Sequence, residues 1–226
     1  MNASVRVLIV VPAVAALAWL ASNSIHTGTA GSIAYDAARE MATWAASGAE
    51  PGAQTVAWVT SDLERARAEA PGDANIEELL GALATRRIER PEFLDEALVH
   101  LVRAVELRPT SPYTWAAIVE ALYRKGDTGR TFEVALRRAG ELGPAEPEVQ
   151  RTVADFGLAM WADEAPETRQ AVEAMVTGAM KRDAREILQI ADRRGRLAIA
   201  CRHLADAPRR VDPEWYLLCR SREATS

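Results

Sequence analysis

The sequence predicts an all-α protein, with an N-terminal transmembrane helix followed by a solenoid of antiparallel helix pairs. Three observations support this fold class. An uncharged apolar run covers residues 7–21, prolines bracket apolar segments of helical periodicity along the rest of the chain, and one Leu/Ala/Pro motif recurs. Beyond residue 30 there is no alternating strand pattern and no Asn-Gly or Asp-Gly hairpin signal. Helices are therefore expected almost everywhere.

The composition limits the classes of protein that the chain can belong to. Its 226 residues suit one or two domains, and 49% hydrophobic with 26% charged residues excludes a disordered or collagen-like chain. A net charge of −5 and a pI near 5.4 argue against general nucleic-acid binding, so no nucleic-acid partner is expected. Two cysteines cannot build a disulfide-dense scaffold or, alone, a structural zinc site.

The first element is the apolar run, which is predicted to be a membrane anchor within residues 1–30. Residues 7–21 read VLIVVPAVAALAWLA, and extension to Ile25 gives an uncharged segment of about 28 Å as a helix, close to the roughly 30 Å hydrocarbon core. Trp19 fits an interfacial aromatic residue. A cleavable signal sequence is the competing interpretation, although its small-x-small site at residues 28–30 lies well beyond the apolar run.

The charges around this run favour one orientation in the membrane. Arg6 and the α-amino group precede it, whereas Asp36, Arg39 and Glu40 follow it. Positive charge tends to stay in the cytoplasm. We therefore expect a single-pass inner-membrane protein with the bulk of the chain in the periplasm.

The remaining elements are bounded mainly by proline. Proline is tolerated in the first turn of a helix, whereas in the interior it breaks the helix. A proline therefore marks either the start of a helix or the residues just after its end. Segments open at Pro51, Pro91, Pro112, Pro147, Pro166 and Pro213, and segments close before Pro71, Pro109, Pro144 and Pro208. Ser111 and Asp212 are plausible N-caps. The predicted helices are 32–48, 52–70, 75–89, 92–107, 112–125, 130–142, 147–162, 167–181, 184–194, 196–205 and 213–221.

A Leu-x-x-Ala-x-x-x-x-Pro motif underlies this series. It occurs at residues 63–71, 101–109 and 136–144, and its prolines are 38 and 35 residues apart. The small Ala lets neighbouring helices approach, the Leu fills the interface, and the Pro ends the second helix of each pair. Trp115 and the Gly126-Asp127 turn match the first helix and the inter-helix turn of such a unit.

This motif resembles tetratricopeptide repeats over about residues 50–147. We accordingly predict a TPR-like α-solenoid for residues 31–147. For residues 148–226 we predict a degenerate repeat and a helical C-terminal cap, because terminal repeats are expected to be atypical.

Catalytic and cofactor motifs are missing from the sequence. It contains no P-loop, G-x-S-x-G, H-E-x-x-H or G-x-G-x-x-G pattern, and His26, His100 and His203 lack ligand spacing. The carboxylate pairs Glu77/Glu78 and Asp163/Glu164 are interpreted as helix-start residues that complement the dipole. We expect no enzyme activity, no cofactor and no metal.

Candidate binding residues follow from the repeat register. First-helix side chains of such a solenoid line a concave groove, and exposed Tyr and Arg suit partner binding. The predicted groove comprises Asn75, Glu78, Arg86, Tyr113, Glu120, Tyr123, Arg124, Arg151 and Asp155. The Lys/Asn set with which chaperone-binding repeats clamp a C-terminal carboxylate is not matched.

A basic patch is predicted at Arg193, Arg194 and Arg196. Residues 181–210 carry nine Lys or Arg against four acids, whereas residues 141–173 carry eight acids against two arginines. The patch could bind lipid phosphates, an anionic glycan or an acidic partner, and a solvated helix face is the alternative. Cys201 and Cys219 could form a disulfide in an exported domain or remain two buried thiols.

Three segments distinguish the overall layout, namely residues 108–115 (RPTSPYTW), 136–139 (LRRA) and 141–149 (ELGPAEPEV). In these segments the chain resembles a bacterial family, the VpsP-like proteins of exopolysaccharide biosynthesis clusters. It implies a membrane-anchored accessory factor or scaffold whose partners are envelope proteins of a polysaccharide assembly or export system. The alternative is an anionic-polysaccharide-binding or chain-length-modulating protein. No active-site residue is carried over.

Overall fold

The computed structural model describes residues 3–48, 50–87, 92–206 and 211–223, and within these it describes the side chains of all but residues 3–12, 206, 222 and 223. The described chain is entirely helical, as predicted, and contains no strand. Its helices are α1 (Ala3–Ser47), α2 (Ala53–Glu69), α3 (Ala74–Arg86), α4 (Glu92–Leu107), α5 (Pro112–Lys125), α6 (Arg130–Leu142), α7 (Pro147–Met160), α8 (Pro166–Arg193), α9 (Leu197–Cys201) and α10 (Pro213–Glu223), with a 3-10 turn at Leu204–Asp206.

Most predicted helix ends agree with the structure because local signals determine them. Ser111 caps α5 by accepting a hydrogen bond from the Thr114 backbone N–H at 3.3 Å, and Gly126 ends the same helix in the left-handed conformation at φ 80°. Pro112, Pro147 and Pro166 each occupy the first turn of a helix. Pro51 is an exception, since α2 begins at Ala53 with Gly52 as its N-cap.

The predicted break between the helices 167–181 and 184–194 is confirmed within α8, where Asp183 has non-helical dihedral angles (φ −141°, ψ 78°) and its carboxylate caps the second part by accepting from the Glu186 N–H at 3.1 Å. The structure differs from the predicted helices in two other places. The anchor and the helix over 32–48 form one continuous helix, α1, with no break at residues 28–31. The helix 196–205 is shortened to α9 and the 3-10 turn. The end of the predicted helix 75–89 lies outside the described residues.

The chain divides into two compact units, Met1–Leu83 and Ala84–Ser226. The predicted boundaries after residues 30 and 147 stay predictions. In the first unit, one stripe of α1 packs against α2, and buried residues of α3 belong to the same core. The residues of α1 in this stripe are Ala30, Ala34, Ala37, Met41 and Trp44, and those of α2 and α3 are Val59, Leu63, Ala66, Ile76, Leu80 and Leu83.

In the second unit, helices from α4 onward pack in sequence order. Each contacts the next along the chain, and α5 also contacts α7, as α6 contacts α8. This next-but-one contact is typical of helix pairs stacked as repeats. The stacking continues through α7 and α8, in the segment for which the sequence predicts a degenerate repeat.

The recurring motif occupies the helix–helix interfaces. Its Leu and Ala residues are completely buried: Leu63, Ala66, Leu101, Ala104, Leu136 and Ala139. Its prolines each stand two residues beyond the last residue of α2, α4 or α6. The pattern thus has the packing role that the sequence predicted.

Within the described residues, no helix offers a stretch long and apolar enough to cross a membrane. The side chains of residues 7–12, which begin the predicted anchor, lie outside those described.

Candidate functional site

The structure joins residues of the two predicted sites, the groove and the basic patch. Arg194, near the end of α8, donates from Nε to Asp155 Oδ1 at 2.8 Å and from Nη2 to Asp155 Oδ2 at 3.0 Å. Its third nitrogen, Nη1, donates to the Tyr123 hydroxyl at 3.3 Å. The bidentate pair fixes both planar groups and connects α5, α7 and α8.

Aromatic rings support this arrangement. The Tyr123 ring centroid lies 4.8 Å from that of Phe156 and 6.5 Å from that of Phe132. The Arg194 guanidinium carbon is 5.5 Å from the Tyr123 ring centroid and 6.0 Å from that of Phe156, which is within cation–π range. The hydrogen bond with Asp155 raises the pKa of Arg194, so its charge is permanent. Tyr123 and Asp155 are consequently packing residues as well as groove residues.

Around this cluster, the other groove residues form more exposed pairs. Arg151 of α7 lies 3.4 Å from Glu186 of α8, and Arg124 lies 2.6 Å from Glu120 one turn earlier on α5. At the start of α5, the Tyr113 hydroxyl donates to Glu146 at 2.5 Å, and this hydrogen bond raises the pKa of Tyr113. Pairs with this much exposure contribute little to stability, so their side chains can exchange partners at small cost.

We call this surface the α5–α7–α8 face. It is defined by Tyr113, Glu120, Tyr123, Arg124, Arg151, Asp155, Glu186 and Arg194. Spacings of three, four, seven or eight residues place its members on one side of their own helices, and the Arg151–Glu186 and Arg194–Asp155 pairs join α7 to α8. It presents charges of both signs beside exposed tyrosine.

Three predicted groove residues lie on α3. Asn75 and Glu78 belong to the first unit, and Arg86 is the exposed last residue of that helix. The α5–α7–α8 face is defined without them, and a groove that all nine residues share stays a prediction.

The three predicted basic-patch arginines have different environments. Arg193 is exposed, Arg194 is held by Asp155, and Arg196 is half-buried with its Nε unpaired among the described residues. They do not form one group of free cations.

Most neighbouring positive charge in this segment is also engaged. Arg185 lies 3.6 Å from Asp212, Arg202 lies 3.1 Å from Glu173, and Arg182 donates to the Ala145 carbonyl at 2.6 Å. Arg209 and Arg210 lie outside the described residues. Fewer of these basic side chains are thus free to bind an anionic ligand than the count of Lys and Arg in the segment indicates.

The two cysteines form a disulfide. Cys201 of α9 and Cys219 of α10 are bonded, with their Cα atoms 5.4 Å apart, and both are buried. Beside this bridge, the half-buried His203 contacts Thr177 Oγ1 at 3.1 Å through Nδ1 and Glu173 at 3.3 Å through Nε2.

A feature that the sequence analysis missed is Glu164, in the turn before α8. Only 4% of this residue is exposed, and neither carboxyl oxygen has a hydrogen-bond partner among the described residues. Burial raises its pKa to about 8, repulsion from Glu133 adds to this shift, and Arg169 opposes it. No signal could have shown this, since an acidic pair before Pro166 looks like an ordinary helix start.

Among the described residues there is no cluster of His, Cys, Asp and Glu that could hold a metal ion. No model of a known protein family, no curated protein and no solved structure matches the chain.

Proposed function

We propose that this chain is a membrane-attached, non-enzymatic adaptor of the bacterial cell envelope that presents a TPR-like surface to other proteins. The supporting observation is the ordered packing of α4 to α8, in which the motif Leu and Ala residues of α4 and α6 are completely buried. Helix stacks of this kind create extended surfaces suited to binding. The α5–α7–α8 face is the surface that we assign to the partner.

The chemistry of this face favours a protein partner. Arg and Tyr side chains are enriched where proteins bind one another, and mixed charges provide specificity and orientation. Its exposed pairs can be exchanged for pairs with a partner, whereas the Arg194–Asp155 pair keeps the three helices in place. A component of polysaccharide assembly or export is the partner that the VpsP-like resemblance implies.

Membrane attachment is supported by the exposure of α1. Every residue from 13 to 29 is exposed, and this stretch includes Val14, Leu17, Trp19, Leu20 and Ile25. A single helix with so much exposed apolar surface is unfavourable in water, whereas lipid would cover it.

The polar residues at the end of this exposed stretch also suit a membrane interface. The Ser24, Thr27 and Thr29 hydroxyls donate to backbone carbonyls four residues earlier, at 2.8 to 2.9 Å, and so need no water. The Cys201–Cys219 disulfide favours an oxidising compartment, which agrees with a periplasmic body on an inner-membrane anchor.

The adaptor proposal can be tested by crosslinking in membranes of the source cell. A variant with Tyr113→Ala, Arg124→Ala and Arg151→Ala should lose its crosslinks to polysaccharide polymerase, ligase or export components and should lower exopolysaccharide yield. Tyr123 is left intact because its ring is part of the packing.

The matched control carries Arg103→Ala and Arg138→Ala. These residues form exposed pairs with Glu106 and Glu141, at 2.8 and 3.3 Å, outside the α5–α7–α8 face. Equal loss of crosslinks in both variants, or unchanged crosslinks in the first while its fold persists, would contradict the proposal.

A further inference from the structure

We propose that the turn between α2 and α3, residues 70–73, lies against the headgroup layer of the membrane, held there by the unbroken helix α1. This inference rests on the membrane attachment proposed above. The partner is a zwitterionic lipid surface, and the contacting element is this turn.

The direction of α2 places the turn at the same end of the first unit as the exposed apolar part of α1. A short connection brings α2 back from the C-terminal end of α1, and at the other end of α2 the Glu69 carboxylate contacts the His26 imidazole of α1. The two helices are therefore antiparallel. The turn that follows Glu69 faces the end of α1 that carries the apolar residues.

Along α1, only a short distance separates the predicted membrane-spanning segment from the residues that pack in the first unit. Among the described side chains of α1, which start at residue 13, the first completely buried one is Ala30, five residues after Ile25, the last residue of the predicted membrane-spanning segment. Five helical residues span about 7.5 Å. A bilayer of roughly 40–45 Å with a 30 Å core leaves about 5–8 Å of headgroups on each side, so a body that packs from Ala30 onward must approach this layer.

The continuity of α1 fixes the position of the turn relative to the membrane. A flexible linker would let the first unit move away from the bilayer, but α1 is helical from Ala3 to Ser47, and its C-terminal half packs on α2. The anchor and the first unit consequently share one helix axis. The turn has no freedom to leave the membrane surface unless α1 bends.

The turn itself suits a lipid surface that carries no net charge. Pro71 and Gly72 are exposed, and the carboxylate of Asp73 accepts a hydrogen bond from the Asn75 backbone N–H at 2.8 Å. Residues 70–73 contain no Lys or Arg that would draw them to anionic lipid. Zwitterionic headgroups can solvate the backbone groups of such a turn.

Two glycines at opposite ends of α2 provide matched reporters. A Cβ at Gly72 or at Gly52 would meet nothing within 4 Å, so Gly72→Cys and Gly52→Cys should both fold. The length of α2 separates them by about 26 Å. The native cysteines are disulfide-bonded, and the added thiol can be labelled selectively with an environment-sensitive fluorophore.

The experiment uses the full chain reconstituted in phosphatidylcholine vesicles, with and without a nitroxide on the lipid headgroup. We expect the label at position 72 to be quenched at least twofold more than the label at position 52. Equal quenching, or stronger quenching at position 52, in protein that still sediments with the vesicles would overturn the inference and leave the attachment intact. Loss of sedimentation would overturn the attachment itself, and the inference with it.

A third variant tests the role of the helix. Gly28→Pro, in the exposed part of α1, should bend the helix between the apolar segment and the packed half. We expect it to reduce the difference in quenching between the two labels while sedimentation persists. An unchanged difference would show that α1 does not hold the turn in place, and the inference would then be wrong.

Discussion

Arg194 and Asp155 form a bidentate ion pair, with nitrogen–oxygen distances of 2.8 and 3.0 Å, that joins the end of α8 to the middle of α7. Both side chains are about a quarter exposed, so solvent screens the pair only partly. Asp155→Ala should lower the free energy of unfolding by about 1–2 kcal/mol, because it leaves a half-buried guanidinium with Tyr123 alone.

Chemical denaturation of Asp155→Ala, Arg194→Ala and the double variant would measure the coupling between the two residues. Arg138→Ala removes an exposed pair on α6 and should change stability by less than about 0.5 kcal/mol. Additive effects of the Asp155 and Arg194 substitutions would contradict a direct interaction.

Glu164 should make the protein less stable as the pH rises. Its pKa is about 8 in the folded protein and 4.5 for an exposed carboxyl group, so the folded state holds the proton more tightly. Stability is therefore highest below pH 4.5 with respect to this group, falls between pH 4.5 and 8, and stays low above pH 8.

Glu164→Gln replaces this group with a permanently neutral one. Its stability should be similar to the native protein's at pH 5 and higher at pH 9, by up to about 5 kcal/mol, since each pKa unit corresponds to about 1.4 kcal/mol. Thermal melts at the two pH values would measure the difference. A stability gain of the same size at both pH values would mean that ionisation of Glu164 is not the cause.

Gly157 is required for the close approach of α7 and α8. A Cβ there would lie 2.4 Å from Val172 Cγ2 and 2.9 Å from Val172 Cγ1. Gly157→Ala should therefore destabilise the protein by about 1–3 kcal/mol through overpacking. Adding Val172→Ala should relieve the clash, so that the double variant is more stable than the sum of the single effects predicts.

Gly140 is the matched control on α6. An added Cβ would meet the flexible Met175 side chain at 3.4 Å, and Ala is a better helix former than Gly. Gly140→Ala should consequently change stability far less than Gly157→Ala. Equal losses for the two substitutions, measured by urea denaturation, would indicate a cause other than contact with Val172.

Removal of the disulfide should release α10 from α9. The bond closes a loop with a sequence separation of 18 residues, for which loop-closure entropy predicts a stabilisation of about 3 kcal/mol. Cys201→Ala with Cys219→Ala should therefore increase hydrogen exchange across α10 while leaving α4–α7 protected. Unchanged exchange in α10 would mean that packing of its own residues holds this helix.

Helix content and most helix ends were predictable from the sequence. Pro112 and Ser111 at the start of α5 and Gly126 at its end act through local backbone geometry, so neighbouring residues suffice to identify them. The motif residues Leu136 and Ala139 were likewise predictable, because recurrence at a fixed period reports a repeated packing position.

The candidate site was predictable only in part. Helical spacing identified Tyr123 and Asp155 as residues of one face, and charge counting identified Arg194. Their association was not predictable, since Arg194 lies 39 residues from Asp155 and 71 from Tyr123. Nothing in the sequence distinguishes Arg194 from the other arginines of the segment as the partner of Asp155.

By itself, the sequence determined that this protein is helical, where α5 and α6 begin and end, where α7 begins, and which Leu and Ala residues face neighbouring helices. Caps, prolines and periodicity act within a few residues and carry that information locally. Tertiary structure alone decided that α1 continues through Gly28 and Gly31, that Arg194 is paired, and that the Glu164 carboxyl group is buried with no hydrogen-bond partner in the described part of the chain. Each of these features depends on which residues, distant in sequence, lie close together in space. Only the packing of the helices determines this proximity.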